Sequence, residues 1–253
     1  MARSTSGESV LTRIVRIVES FDADTPAITL TELARRADLP QATTSRLVKE
    51  LISYGWLRRD DANRIRIGVR LWELASRASP TLGLREAAMP FMQDLHAVVG
   101  QHVQLAVLQH REVLYVERLS APGAVRNLSR FAGRLPLHAT APGLVLLAHA
   151  PAECQDEILT SPLTAFTPDT PVDPKALRAL LGEIRRTGVA YCPGFLDETT
   201  TSIAAAVRTA GGRVPAALSV LLPNENAAGS AVPALLAAAH GVSRVLGAAP
   251  RPR

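Results

Sequence analysis

The chain is 253 residues long, 47% hydrophobic and 20% charged, with a net charge of +5 and two cysteines. That balance describes a globular chain with enough length for a real core, and it excludes a low-complexity, collagen-like or disulfide-stapled protein. Cys154 and Cys192 are far apart and in no metal-ligand spacing, which points to a reducing compartment.

Residues 9–21 have the period of an amphipathic helix, with Val10, Ile14, Ile17 and Phe21 on one stripe and Arg13 and Arg16 outside it. Asp22–Pro26 reads as a loop. The stretch TLTELARRADLPQATTSRLVKELISYGWLRRDDANRIRIG, residues 29–68, then carries the strongest pattern in the chain. Thr29 and Glu32 have the spacing of a capping box, and Leu30, Leu33, Ala34 and Ala37 share one helical face. Asp38-Leu39-Pro40 ends that helix: Asp tolerates a left-handed turn, and Pro suits the start of the next helix.

In the second helix Leu47, Val48, Leu51 and Ile52 form the inward stripe, with Thr44 a turn earlier. The opposite face carries Ala42, Arg46, Lys49, Glu50 and Ser53, flanked by Thr43 and Ser45. Gly55 is placed as the stop. Small, hydroxylated and basic residues on that face suit a helix that enters the major groove of DNA. The following hairpin carries Arg58, Arg59, Arg64 and Arg66, an arrangement expected to touch the neighbouring phosphates together with Gln41. The expected groove residues are Thr43, Ser45, Arg46 and Lys49. Basic residues outnumber acidic ones over residues 1–78, as a nucleic-acid partner requires.

Residues 69–78 read as a short helix with Leu71, Trp72, Leu74 and Ala75, and Ser79-Pro80 as a domain boundary. A longer helix is expected over 82–99, stopped by Gly100. Alternating Val103, Leu105 and Val107, a turn at 109–112 and a second strand at 113–117 predict an antiparallel hairpin. Extended structure and loop follow at 121–133. An apolar helix begins near Thr140 in GRLPLHATAPGLVLLAHA. Asp173-Pro174 opens a further helix, with Gly188 as its stop. Strands are expected at 189–191, 201–207 and 213–222, the last two joined by Gly211-Gly212, before an Ala-rich C-terminal helix and a Pro-Arg tail at 250–253. Mixed hairpins and helices argue for an α+β domain with a mostly antiparallel sheet.

No GxSxG elbow, Walker loop, GxGxxG or HExxH pattern occurs, and no cofactor or metal is expected. His96, His102, His110, His138, His149 and His240 are read as structural or surface groups, with His138 orienting its turn. The N-terminus has no apolar signal core, and no apolar stretch is long enough to span a bilayer, so a cytoplasmic protein without a membrane partner is expected.

Four segments together resemble the IclR family of bacterial transcriptional regulators: TLTELARRADLPQATTSRLVKELISYGWLRR, GRLPLHATAPGLVLLA, TPDTPVDPKALRALLGEIRRTGVAY, and SIAAAV followed by GGRVPAALSV. The resemblance covers about residues 9–247. It implies a winged helix-turn-helix over 1–68, a linker helix over 69–80, and a GAF-like α+β effector-binding and oligomerisation domain over 81–249. It further implies a homodimer or tetramer on an operator, usually acting as a repressor. Carried over by position, a small organic effector would meet Asn127, Leu135, Thr140, Ala141, Ser202 and Ser219, with Asp197 or Cys192 at the edge. The chain departs from the family pattern at Leu144 (commonly Lys), Thr199 (Gly), Ala206 (Pro) and Leu221 (a hydroxyl). An apolar pocket with a few hydroxyls and backbone N–H groups at a helix start suits a small carboxylate or aromatic acid, while these changes make it less polar and favour a more hydrophobic effector, or none. In that last reading the C-terminal domain serves only oligomerisation. No polar catalytic cluster supports an enzyme.

Overall fold

The computed structural model describes residues 8–22, 24–77, 79, 81–129, 132–225 and 228–248. The chain divides into two compact units, with the division between Pro80 and Thr81.

The first unit contains α1 (Val10–Glu19), α2 (Leu30–Arg36), α3 (Gln41–Ser53), the hairpin β1 (Leu57–Arg59) and β2 (Ile65–Ile67), and α4 (Val69–Arg77). Its core is Ile17, Leu33, Ala37, Leu47, Val48, Leu51, Leu57 and Ile65, with Ile28 joining the sheet through paired backbone bonds to Ile65. Thr29 caps α2 by accepting from the Glu32 N–H at 3.2 Å. The reciprocal half of the expected capping box does not form, because the Glu32 carboxylate accepts from Arg35 and Arg36 instead. Asp38 turns the chain at φ +49°. Gly55, at φ +72°, ends α3 with the paired bonds Trp56 N–H to Leu51 O and Gly55 N–H to Ile52 O, a Schellman closure that glycine adopts without strain.

The first helix departs from its expected packing. Of its apolar residues only Ile17 is fully buried, while Val10, Leu11 and Val15 stay exposed. The helix is apolar over a wider arc than this small core can cover. Arg16 is structural: its Nη2 donates to the Asp38 carbonyl at 2.8 Å and ties α1 to the turn.

The second unit is a six-stranded sheet of order β5-β4-β3-β8-β7-β6 with every pairing antiparallel. Its strands are β3 (His102–Gln109), β4 (Glu112–Leu119), β5 (Arg134–Pro136), β6 (Val189–Pro193), β7 (Thr200–Val207) and β8 (Ala216–Pro223). One face carries α5 (Leu82–Val99) and α9 (Val232–Ala248), packed on Leu105, Ile203, Leu218 and Val220. The other face carries α6 (Ala141–Ala148), α7 (Ala152–Thr160) and α8 (Pro174–Thr187), packed on Ala106, Ala204, Ala206 and Ala217. Every residue of α6 is buried, as a helix apolar all round requires. Small side chains on β7 and β8 let it lie close to the sheet.

Two elements were not expected from the sequence. The helix α7 buries only Ile158 and Leu159 and so lacks a full apolar stripe. The strand β5 is three residues long and ends in Pro136, which an edge strand tolerates. The last strand starts at Ala216 rather than 213, because the turn through Gly212 is closed by the Thr209 N–H bonding to the Arg213 carbonyl. Among the described residues no helix is long and apolar enough to cross a membrane, and no cluster of side chains could hold a metal ion.

Candidate DNA interface and effector pocket

The α3 helix turns Thr44, Leu47, Val48 and Leu51 inward. The buried Thr44 hydroxyl donates to the Pro40 carbonyl at 3.1 Å, so it leaves no unsatisfied group. The opposite face presents Gln41, Arg46 and Lys49 as exposed side chains, with Thr43 and Ser45 half-buried beside them. Gln41 Nε2 donates to Thr31 Oγ1 at 3.4 Å, bridging α2 and α3. Arg46 lies 3.7 Å from the Glu50 carboxylate one turn on. At 63% and 52% exposure that pair is weak and leaves the guanidinium available. Lys49 has no hydrogen-bond or ion-pair partner among the described residues.

The hairpin brings its four arginines together but uses them differently. Asp60 sits at its tip and is 13% exposed as a side chain. It accepts from the Ala62 and Arg64 N–H groups, from Arg64 Nε at 3.1 Å and from Arg66 Nε at 3.0 Å. Burial alone would raise its pKa, but the Arg64 N–H and the two guanidinium groups outweigh burial and hold it at about 2. Arg59 donates to the Asn63 carbonyl and side-chain oxygen, both at 3.0 Å. Arg58 is exposed and without a partner among the described residues. In the free chain the four arginines therefore differ: Arg64 and Arg66 are paired with Asp60, and Arg59 braces the turn.

In the second unit a narrow cavity of about 30 Å3 lies between the sheet, the start of α6 and the segments 126–129 and 195–197. Such a volume holds about two water molecules. Of the expected effector residues, Asn127, Leu135, Thr140, Asp197 and Ser202 line it, as does Cys192. Two others do not. Ala141 is fully buried in the core of α6, because its Cβ points into the packing under the helix. Ser219 is fully buried on β8, and its hydroxyl donates to Gln104 Oε1 at 3.4 Å, so it reaches the cavity only through Gln104.

The polar groups of the lining have distinct states. Thr140 caps α6, accepting from the Gly143 N–H at 3.2 Å and donating to the Pro136 carbonyl at 3.1 Å. Asp197 accepts from the Thr199 hydroxyl at 2.6 Å and N–H at 2.9 Å. Those bonds, with Arg126 nearby, hold its carboxyl below the ordinary range and keep it ionised at the rim. Burial pushes the Tyr115 phenol and the Cys192 thiol far up, so both are neutral and the thiol is no nucleophile. Leu135, Phe195 and Leu221 supply apolar walls. His138 holds its turn as expected, bonded to the Thr164 carbonyl at 2.9 Å.

The model of the IclR helix-turn-helix domain matches residues 10–61, and that of the bacterial transcriptional regulator IclR C-terminal domain matches residues 77–246. The chain belongs to the IclR family of transcriptional regulators. An IclR homologue from Microbacterium hydrocarbonoxydans, solved in complex with 4-hydroxybenzoate, is 46% identical, with a TM-score of 0.92 over 95% of this chain and all of that one. The HTH-type transcriptional regulator XynR of Escherichia coli is 29% identical over 210 residues, 82% of this chain and 83% of the relative. The HTH-type transcriptional repressor AllR of Klebsiella pneumoniae is 29% identical over 219 residues, 86% and 80% of the two chains.

Sequence reasoning missed Gln104, Tyr115, Arg126, Ser129, Phe195 and Thr200, all of which line the cavity of this IclR-family chain. For Gln104 a signal existed: an amide in the middle of the apolar run Val103–Val107 must find buried partners. The others lie on loops, or at strand positions whose facing direction depends on register.

Proposed function

We propose that this chain is a sequence-specific DNA-binding repressor whose operator affinity is set by a small aromatic carboxylic acid held in the second unit. The reading rests on one observation above the others. The apolar cavity walled by Leu135, Phe195 and Leu221 carries a few convergent polar groups, in a chain 46% identical to a homologue solved with 4-hydroxybenzoate. The cavity is narrow, about 30 Å3, and binding of an aromatic acid would widen it by displacing the 126–129 or 195–197 segment. That displacement gives the effector a differential affinity for two states, which any ligand-driven shift requires. The helix α4 is the covalent route by which such a shift reaches the DNA-binding unit.

On DNA, Thr43, Ser45, Arg46 and Lys49 would read the major groove, with Arg58 and Gln41 on flanking phosphates. A homodimer or dimer of dimers would set two such helices on a pseudo-palindromic operator. The test is selection of genomic fragments at physiological salt by wild type and Arg46→Ala, with and without 4-hydroxybenzoate. Wild type should enrich a few palindromic sites and release them on adding the acid, while the variant should lose them. Enrichment that ignores the recognition helix would overturn the groove assignment.

A second reading, a ligand-independent DNA-binding protein whose second unit only oligomerises, is favoured by the narrowness of the cavity and by Leu221. Thermal-shift titration separates the two, because an effector raises the midpoint by mass action.

A further inference from the structure

Glu117 is a carboxylate on β4, 8% exposed, and it pairs with Arg85 in the first turn of α5. Its Oε2 accepts from Arg85 Nε at 3.1 Å and from Arg85 Nη2 at 2.6 Å. Its Oε1 accepts from the backbone N–H of Arg118 at 2.9 Å, so both oxygens are used. Arg118 in turn donates from Nη1 to the Ser129 carbonyl at 2.7 Å. Ser129 lines the cavity and ends the 126–129 segment. These bonds make one unbroken polar chain, from Ser129 through Arg118 and Glu117 to Arg85, between the cavity wall and the start of α5. The strand is interrupted at the same place. Leu105 is level with Glu117 but Ala106 is level with Tyr115, so Val116 is the extra residue of a bulge. A bulge breaks the ladder locally, so β4 can shift there at smaller cost than within a regular pairing.

The first turn of a helix disfavours a cation, because the helix N-terminus carries partial positive charge. No acidic residue lies in that turn of α5 to answer Arg85. Glu117 supplies the charge from another element, and its near-burial limits screening of the pair. We infer that Glu117 and Arg85 are positioning residues of the ligand response, carrying displacement of the 126–129 segment to the first turn of α5 and so, along the chain, to α4. The inference rests on the effector reading above and names how that site acts at a distance. Moving the segment takes the Ser129 carbonyl from Arg118, releases the strand at its bulge and shifts the carboxylate that holds α5. Neither Glu117 nor Arg85 lines the cavity, and neither belongs to α3. Replacing them cuts the link and leaves both binding surfaces in place.

The test measures binding of the full chain to the selected operator fragment by fluorescence anisotropy, with and without 4-hydroxybenzoate, and binding of the acid by calorimetry. In wild type the acid should weaken operator binding by about tenfold or more. Arg85→Gln and Glu117→Gln should each cut that factor to about threefold or less, while acid affinity and acid-free operator affinity stay within about twofold of wild type. The double variant should lose no more than either single one, because one link is cut once. Arg85→Lys keeps the charge and should recover part of the response. The Arg85 side chain is 36% exposed, so its variants test the link even if Glu117→Gln fails to fold. A full response in the single variants overturns the inference, as do losses that add in the double variant. So does a response that falls only in step with acid affinity, which a merely structural role would produce. A wild type whose operator binding ignores the acid overturns the effector reading itself, and this inference with it.

Discussion

Two polar networks, one in each unit, follow opposite rules. At the hairpin tip, Asp60 gathers two N–H groups and two arginines, and each acceptor oxygen is used twice. Around Gln104 the network closes on every side except at Asn127 Nδ2. The first is complete and lies near the surface, so it restrains charges that the sequence offers to DNA. The second is buried and leaves one donor, Asn127 Nδ2, without an acceptor among the described residues. Counting cations would favour the hairpin as the binding element. Counting unmet buried side-chain donors does not separate the units, since Arg16 Nε in the first is unmatched as well as Asn127 Nδ2 in the second.

The largest expected effect tests whether the two units stand apart. Leu47 is fully buried at the centre of the first core. Leu47→Ala should lower the stability of that unit by about 2–5 kcal/mol through lost burial and a residual cavity. Chemical denaturation should then show two transitions, with the transition of the second unit unmoved. A single transition shifted as a whole would mean that the units unfold together. Next in size is Lys49→Ala, which removes an unpartnered cation from the outward face of α3. It should weaken operator binding by about 1–3 kcal/mol if Lys49 meets a base edge. If Lys49 meets phosphate alone, the loss should be equal for operator and random DNA. Competition binding against random duplex separates the two.

How much of this was legible in the sequence differs between the networks for a physical reason. The helix pair and hairpin depend on local signals: period, the Asp38 turn and the Gly55 stop. All of these lie within the span they control. The cavity is assembled from all six strands of the sheet, the start of α6 and the intervening loops, brought together by a non-local strand order, so its members are scattered from 104 to 221. Of the seven residues expected from the family resemblance, five line the cavity: Asn127, Leu135, Thr140, Asp197 and Ser202. The resemblance misplaced Ala141 and Ser219, which sit beside the cavity in sequence but face the packing under α6 and the amide of Gln104. The pairing of Arg64 and Arg66 with Asp60 was readable in principle, since they lie four and six residues apart across a tight turn.

Asp60→Asn would sharpen the contrast directly. It removes the charge that holds Arg64 and Arg66 while keeping an acceptor for the turn N–H groups. Non-specific DNA affinity should rise at low salt. The slope of log K against log salt should steepen by about 0.9 for each arginine that moves onto phosphate. An unchanged slope would show that these guanidinium groups cannot reach the backbone even when released.

The smallest effect concerns acid. Glu32 is held at about 2 first by its bond to Arg35 and then by Arg36, against an ordinary value of 4.5, and Asp60 is held at about 2 against 3.8. Both are depressed carboxylates. Their contribution to stability is therefore present above the ordinary values and is lost as pH falls from about 4.5 towards 2. Both lie in the first unit, so acid should weaken that unit ahead of what the second unit's ion pairs alone would require. Both groups lie near the surface and are part-exposed, Glu32 at 33% and Asp60 at 13%, which keeps the effect modest and makes it fade with added salt. Glu32→Gln should flatten the acid limb of the first unit's stability profile, measured by denaturation between about pH 5 and 2.5, and leave the second unit's profile unchanged. An unchanged limb in the variant would mean that the Arg35 and Arg36 contacts hold no more firmly in the folded chain than in the unfolded one.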